Sequence, residues 1–190
     1  MKYLLILLLC ITSAFAQDKY AVRVAYGKST ANDLGQVVIG NIASDVADLR
    51  VLSIDGGYLL KEDAFEMPLD FYLRSSLSYY DEASQKDGYG ADIYIKAYYR
   101  FLSNKFRFGF GEGVSYTTKV LWSEVYGAMN QSNHNTSKFL NYLDITLDFN
   151  VAKETYIGFL IKHRSGIFGT INNVKHGGSN YNCIYLEQKF

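Results

Sequence analysis

Two residues near the C-terminus, His163 and Ser165, have the types and the spacing needed for covalent chemistry. A histidine beside a serine can accept the hydroxyl proton and activate the oxygen as a nucleophile, as enzymes of acyl transfer do. The His-x-Ser pattern is weak by itself, because a polar cap at the end of a strand has the same composition. Its meaning depends on the element that carries the pair and on the surface that the pair faces.

The segment before the pair alternates between apolar residues and small or charged ones. Ile157, Phe159 and Ile161 share one face. Continuing the alternation by two residues places His163 and Ser165 on that same face, near the end of a strand. A polar pair on a lipid-facing surface is costly unless it has a task. If this face meets a membrane, the ester of a membrane lipid is the substrate class that fits.

A third polar group is needed to orient the histidine. Antiparallel pairing of the last two strands would bring residues near 180 opposite Ser165, where Asn180 and Asn182 lie on the apolar face. Either amide oxygen could accept a hydrogen bond from the imidazole, as an Asn does in Cys-His-Asn sites. Glu187 is a poor candidate, because it lies at the other end of its strand and on the polar face. The segment 177–179 could supply backbone N–H groups to an oxyanion, although a Gly-Gly turn needs no function.

Period-two alternation recurs along the chain and predicts eight amphipathic strands of about 9–13 residues, a length suited to a tilted membrane strand. The alternating segments are residues 20–26, 52–60, 69–79, 92–101, 106–111, 143–149, 157–162 and 184–190. Seven basic and six acidic residues lie on their polar faces: Arg23, Asp55, Asp70, Arg74, Asp92, Lys96, Arg100, Arg107, Asp144, Asp148, Lys162, Glu187 and Lys189. A soluble sandwich would turn this face to water, and a lipocalin-like barrel would fill its interior with the apolar face. An outer-membrane barrel would pack the charges inside.

Loop lengths favour the outer-membrane arrangement. Three connections are short: residues 61–67, 103–105 and 151–154. The four connections that alternate with them are longer: residues 27–50, 81–89, 118–138 and 167–178. Short periplasmic turns and long extracellular loops alternate in this way in outer-membrane barrels. The sequence therefore predicts an all-β fold, an eight-stranded antiparallel transmembrane barrel with Phe190 as its C-terminal signal for the outer-membrane assembly machinery. For region 30–50 the sequence does not distinguish between a loop, a short helix and an extension of the first two strands.

The N-terminus predicts export to the bacterial outer membrane. A basic start, a short apolar run and an Ala-x-Ala ending form a secretory signal peptide over residues 1–16, which leaves 17–190 as the barrel domain. The apolar run is too short for a membrane anchor. Leu9 before Cys10 is bulky where a lipoprotein needs a small residue.

The composition excludes several functional classes of protein. The 190 residues include 19 basic and 19 acidic side chains, so no excess of charge points to nucleic acid. Two cysteines and three histidines provide neither a disulfide scaffold nor a zinc-ligand spacing. We therefore expect a monomeric barrel without a metal or other cofactor.

One charged residue breaks the strand pattern. Glu112 falls on the outward face of the fifth segment, where it either marks the membrane boundary or is a second polar member of a lipid-headgroup site. Its neighbours Gly109, Gly111 and Gly113 face the interior and would make room for large side chains there. Trp122 and the tyrosines near strand ends are typical of the aromatic girdle at a membrane interface.

Three stretches resemble the lipid A 3-O-deacylase (PagL-type) family and its broader acyloxyacyl-hydrolase-like relatives: residues 163–169 (HRSGIFG), 176–181 (HGGSNY) before a closing aromatic residue, and 108–116 (FGFGEGVSY). Members of this family are eight-stranded outer-membrane barrels that remove an ester-linked acyl chain from lipid A. The resemblance implies that His163 is the general base and Ser165 the nucleophile, and that lipid A in the outer leaflet is the partner. The family's third residue is a Glu, whereas the position that fits best here is Asn180, which predicts slow or altered activity. A non-catalytic outer-membrane barrel and a secreted soluble carrier stay open as alternatives.

Overall fold

The computed structural model describes residues 19–42, 48–83, 85–129, 135–175 and 178–190. The predicted signal peptide lies outside these residues and stays a prediction, as does the role of Gly177 in an oxyanion site. No helix within the described ranges is both long and apolar enough to cross a membrane.

Eight antiparallel strands close into one barrel in chain order, with β8 paired to β1. Their bounds are β1 Tyr20–Thr30, β2 Arg50–Lys61, β3 Leu69–Asp81, β4 Gly88–Phe101, β5 Phe106–Thr117, β6 Phe139–Ala152, β7 Thr155–Ser165 and β8 Ser179–Lys189. The connections carry helix α1 (Leu34–Val38), helix α2 (Trp122–Met129) and a 3₁₀ turn at Ala64–Glu66. The predicted eight-stranded antiparallel barrel is confirmed. Region 30–50, which the sequence left open, contains α1.

The structure corrects the predicted alternation of loop lengths at one connection. Residues 82–87 link β3 to β4 and are no more numerous than residues 62–68 at the opposite end. The two strands stay paired as far as Tyr80 and Gly88, and the Tyr79 hydroxyl donates to the Asp87 carboxylate at 2.6 Å. This hairpin is therefore tight, whereas the other three extracellular connections are long.

Trp122, which the sequence assigns to the interfacial aromatic girdle, lies in the connection between β5 and β6. It begins α2, because the Glu82 carboxylate accepts hydrogen bonds from the Trp122 backbone N–H at 2.8 and 3.0 Å. Leu121 before it is fully buried. The helix therefore folds over the extracellular end of the barrel, and the place of Trp122 in the aromatic girdle stays a prediction.

The strand register gives the barrel a stagger of ten residues. A line of paired residues that starts at Tyr20 of β1 returns to β1 at Thr30. In order it passes Tyr58, Leu73, Ile95, Glu112, Leu143, His163 and Asn180. Since such a stagger tilts the strands, residues late on this line lie closer to the extracellular end than residues early on it.

The outward surface of the barrel is apolar and exposed. Leu77, Phe159 and Ile184 lie on three different strands and expose 65%, 67% and 61% of their surface. A continuous apolar belt of this kind is not left in water by soluble monomers. It suits the hydrocarbon of a bilayer, for which β-barrels place apolar side chains outward and polar ones inward.

The interior contains a chain of ion pairs whose members alternate in sign. In the order of their contacts, the charged residues are Asp144, Arg23, Asp55, Arg74, Glu187, Arg107 and Asp148. Each is at most 3% exposed. Glu187, a poor candidate for the histidine's partner from sequence, is held by Arg74 at 2.7 Å and Arg107 at 2.8 Å. The predicted charge-balanced interior is therefore confirmed.

Interior glycines make the room that the sequence predicted. A Cβ on Gly109 would lie 2.4 Å from the Thr146 hydroxyl and 2.6 Å from Cε of Lys96. A Cβ on Gly111 would lie 2.8 Å from the Tyr94 ring. Without these glycines the large interior side chains would have to shift.

Candidate active site

His163 and Ser165 lie among the last three residues of β7, on its outward face. Both are half-buried, whereas Lys162 and Arg164, which alternate with them, are buried in the interior. The pair is thus on the face that the alternation predicts. It lies where β7 leaves the apolar belt at the extracellular end of the barrel.

The register of the last two strands selects the partner of the histidine. His163 is directly opposite Asn180, and its Nδ1 lies 2.7 Å from Oδ1 of Asn180. Asn182 lies one outward position further along, opposite Ile161. Within the described ranges, Nδ2 of Asn182 has no hydrogen-bond partner. Of the two asparagines that the sequence offered, Asn180 contacts the imidazole.

A second hydrogen bond fixes the orientation of the Asn180 amide. Its Nδ2 donates to the backbone carbonyl of Asn32 at 2.9 Å, just after β1. The Asn180 carbonyl oxygen therefore faces the histidine, and a carbonyl oxygen can only accept. His163 must then carry its proton on Nδ1, which leaves the Nε2 lone pair available as a base.

Ser165 lies opposite Asn141 of β6 and next to Gly178. The hydrogen bond of the imidazole goes to Asn180, and none joins it to the Ser165 hydroxyl in this structure. Residues two apart on one strand face are separated by about 6.6 Å along the strand, and catalytic hydrogen bonds often tighten only when substrate binds. A Cβ on Gly178 would lie 2.7 Å from the Arg164 carbonyl oxygen and 3.6 Å from Cβ of Ser165. Glycine therefore lets the chain pass close to the end of β7 beside Ser165.

The site is supported from inside the barrel by Glu124 of α2. The Arg164 guanidinium donates to the Glu124 carboxylate, and the Ser179 hydroxyl donates to the same carboxylate at 3.3 Å. Burial raises the pKa of Glu124 above its ordinary value, and the positive charge of Arg164 opposes that rise. Because Arg164 is on β7 and Ser179 on β8, Glu124 links the ends of the two strands that carry His163 and Asn180.

Glu124→Gln is expected to loosen this end of the barrel, because the amide keeps one acceptor but loses the charge that Arg164 faces. The expected loss of stability is about 1.5–3 kcal/mol, the value of a hydrogen bond to a charged group. Hydrogen exchange followed by mass spectrometry should show faster exchange at the extracellular ends of β7 and β8. Glu154→Gln is the matched control, since Glu154 lies in the opposite turn and its contact with Lys189 spans 3.6 Å. Equal exchange in both variants would contradict the supporting role of Glu124.

Three contributors were missed by reasoning from the sequence. Asn32 and Glu124 lie in connections, where no period indicates which side chain meets a strand. Asn141 could have been found, because extending the β6 alternation by two residues beyond Leu143 places it on the outward face. It is only 5% exposed and faces Ser165 across the strand pair.

The geometry places an imidazole, a hydroxyl and a carboxamide on one outward surface of the barrel. Among the described residues, no group of three His, Cys, Asp or Glu side chains could hold a metal ion. The chemistry open to these three side chains is proton transfer from a serine hydroxyl, which prepares the oxygen for attack on an ester.

Comparisons with known proteins identify the fold. No protein-family model matches the chain, and no curated protein matches its sequence. The outer membrane enzyme PagL is similar over 90% of this chain and 99% of its own, with a TM-score of 0.61 and 12% identity. Neisserial surface protein A is similar over 92% and 98%, with a TM-score of 0.52 and 15% identity. Ail of Yersinia pestis, determined in a phospholipid bilayer nanodisc, covers 92% and 100%, with a TM-score of 0.50 and 12% identity. The fold is that of the eight-stranded outer-membrane barrels.

Proposed function

We propose that this chain is a lipid A deacylase of the bacterial outer membrane, which hydrolyses an ester-linked acyl chain of lipopolysaccharide in the outer leaflet. Ser165 is the nucleophile, His163 the general base and Asn180 the residue that orients it. The enzyme acts as a monomer without a metal or other cofactor. It reaches the membrane after removal of residues 1–16, and the assembly machinery recognises Phe190.

The observation that carries the proposal is the hydrogen bond of 2.7 Å between His163 Nδ1 and Asn180 Oδ1 on the outward surface. It leaves Nε2 as the basic nitrogen, on the same strand face as Ser165. The ester of a lipid lies in the outer leaflet at the boundary between headgroup and acyl chains. A site at the extracellular end of the apolar belt therefore meets that ester without the lipid leaving the bilayer.

The reaction would proceed in two steps. Oγ of Ser165 attacks the ester carbonyl carbon while its proton passes to Nε2 of His163. The tetrahedral intermediate then collapses, the bond between the carbonyl carbon and the sugar oxygen breaks, and that oxygen takes the proton from His163 and leaves as a hydroxyl. Water, deprotonated by His163, then attacks the acyl-enzyme, and His163 passes that proton to the departing Oγ of Ser165, which releases the fatty acid and restores the serine hydroxyl.

An asparagine in the orienting position affects the rate. It holds the imidazole by a neutral hydrogen bond, whereas a carboxylate would also stabilise the positive charge that His163 gains in each step. The proposed enzyme is therefore expected to be slower than one with an acidic residue at this position.

Replacing Asn180 tests its role. Asn180→Ala should reduce kcat by about 10- to 100-fold, as loss of a partner that fixes a histidine commonly does. Asn180→Asp, which has the same shape, should keep more activity than Asn180→Ala because its carboxylate accepts from Nδ1 and stabilises the imidazolium, although its second oxygen then faces the Asn32 carbonyl without a donor. Asn182→Ala is the control, since Asn182 lies opposite Ile161 and its Nδ2 makes no hydrogen bond within the described residues. If Asn180→Asp and Asn180→Ala lose activity equally, Asn180 does not act through the histidine.

Mass spectrometry of lipid A tests the proposed function most directly. Lipid A from cells that express the protein should lose the mass of one acyl chain, compared with lipid A from the same cells without it. The corresponding free fatty acid should appear. Unchanged acylation in intact cells and in detergent-opened membranes would leave the non-catalytic barrel with a structural or lipid-binding role as the better proposal.

Localisation is tested separately. The protein should fractionate with the outer membrane and migrate faster on a denaturing gel before heating than after it, as folded barrels do. A protein recovered in soluble form would instead support a secreted carrier. The belt of exposed apolar residues supports the membrane location, because water would make that surface aggregate.

A further inference from the structure

Exposed apolar side chains in the extracellular connections are confined to the two connections beside the candidate active site. Among the side chains that the structure describes there, the large apolar ones that are exposed are Val38, Ile39, Ile42 and Phe168. We call these four residues the apolar rim. The first three lie at the end of α1 or just after it, and Phe168 lies three residues after β7. Ile39 and Phe168 expose 81% and 94% of their surface.

The rim residues near α1 lie beside the site because the connection after β1 crosses β8 towards β7. The Asn32 backbone carbonyl accepts a hydrogen bond from Nδ2 of Asn180, the residue that contacts the histidine, at 2.9 Å. Nδ2 of Asn32 donates to the Asn41 carbonyl at 3.0 Å, which closes the base of this segment. Between these two residues, α1 lies against β7 and buries the Val37 side chain. The end of α1 is therefore held next to the strand that carries the catalytic pair.

Phe168 is held on the β6 side of the site. It follows Ser165 by three residues, which span about 10 Å of extended chain at most. Residues 166–171 form a turn that is closed by backbone hydrogen bonds of 3.0 to 3.2 Å. Nδ2 of Asn172 then donates to the backbone carbonyl of Phe139, the first residue of β6, at 2.8 Å. The turn is therefore attached to the barrel wall, and Phe168 stays close to the proposed nucleophile.

The apolar rim continues the apolar belt of the barrel beyond His163 and Ser165. The belt already faces the membrane, and a larger apolar surface that is continuous with it suits hydrocarbon better than water. We propose that the apolar rim inserts into the outer leaflet on both sides of the catalytic pair and that it contacts the acyl chains of the surrounding lipids. His163 and Ser165 then lie below the level at which the protein leaves the hydrocarbon. This contact requires no hydrolysis, so it goes beyond the proposed function.

Depth-dependent fluorescence quenching tests the insertion. Ile39→Cys and Phe168→Cys are made separately in the mature protein and labelled with bimane, a small uncharged fluorophore. Cys183 is buried and should not react, which the unmodified protein checks. Each variant is folded into phosphatidylcholine vesicles whose lipids carry a nitroxide on the headgroup or at one of two depths on the acyl chain. We expect both labels to lie about 5–10 Å inside the boundary between headgroups and acyl chains, the depth that apolar faces of interfacial segments reach.

Two reference positions calibrate the depth. Leu77→Cys labels the exposed belt of β3, and Lys86→Cys labels an exposed residue of the extracellular hairpin at 82–87. If the labels at positions 39 and 168 are quenched no more than the label at position 86, the rim does not enter the membrane and the proposal is wrong. Emission that changes with protein density but is quenched by none of the nitroxide lipids would indicate a second copy of the chain on the rim, which also overturns it. Unchanged lipid A acylation would remove the proposed function and leave this measurement unaffected.

Discussion

Ser165→Ala is expected to abolish deacylation, so that lipid A from cells expressing the variant is indistinguishable from lipid A of cells without the protein. Without Oγ no acyl-enzyme can form, and loss of the nucleophile from a serine hydrolase lowers kcat by about 10⁴-fold or more. The residual rate comes only from binding of the ester next to His163. Mass spectrometry of lipid A in cells, and fatty-acid release by purified protein, measure the effect.

The fold should survive this change, because the Ser165 side chain is half-buried at a strand end and removal of its hydroxyl leaves no cavity. Heat-modifiable gel mobility checks that the variant barrel is intact. Ser75→Ala is the matched control: Ser75 is an exposed serine on the outward face of β3, remote from His163 along the circuit of strands. Wild-type deacylation by Ser165→Ala would eliminate the serine mechanism.

The outward site depends on the inward residues that alternate with it. Arg164 lies between His163 and Ser165 in the chain, and its guanidinium is buried against Glu124. Since neighbouring residues of a strand point to opposite faces, fixing Arg164 inside fixes the direction of both outward side chains. The same logic applies on β8, where Ser179 contacts Glu124 and Asn180 contacts His163. The charged interior is therefore part of what orients the site.

The strand faces could be predicted from sequence because period two is a local pattern. The outward position of His163 and Ser165 follows from three apolar residues before them, without knowledge of any partner strand. The choice between Asn180 and Asn182 could not be made in this way. Both lie on the same face, and only the register of β7 against β8 decides which of them meets the imidazole.

The contributions of the loops lay beyond sequence reasoning for a different reason. Asn32 accepts from Asn180 through its backbone carbonyl, a group that every residue has, so its side-chain type gives no indication. The supporting role of Glu124 depends on the folding of α2 over the end of the barrel, which buries the Glu124 carboxylate next to Arg164. The hairpin at 82–87 was expected to be longer because the pairing of its glycine-containing end, at Gly88 and Gly90, is not visible as an apolar alternation.

Asp144→Asn is expected to produce the largest loss of stability, about 3–5 kcal/mol, the range for breaking a buried ion pair by removing one partner. The Asp144 carboxylate is fully buried and contacts Arg23 at 2.5 Å, Lys96, and the Tyr94 hydroxyl at 3.1 Å. The amide of an asparagine would keep the shape of the side chain, but it would leave the Arg23 and Lys96 cations without a counterion. Its NH₂ group would also face donors instead of acceptors. Urea-induced unfolding of the barrel in lipid vesicles, followed by tryptophan fluorescence and gel mobility, measures the loss.

Two further variants separate charge balance from shape. Asp48→Asn is the matched control, since Asp48 also bridges two cations, Lys28 at 2.6 Å and Arg50 at 2.5 Å, but is exposed, and exposed ion pairs contribute little. We expect no measurable change there. Removing the opposing charge as well, in Lys96→Met with Asp144→Asn, should recover part of the lost stability because fewer buried cations then lack a counterion. If Asp144→Asn is as stable as Asp48→Asn, or if the double variant is less stable than Asp144→Asn alone, the alternating ion-pair chain is not what stabilises the interior of the barrel.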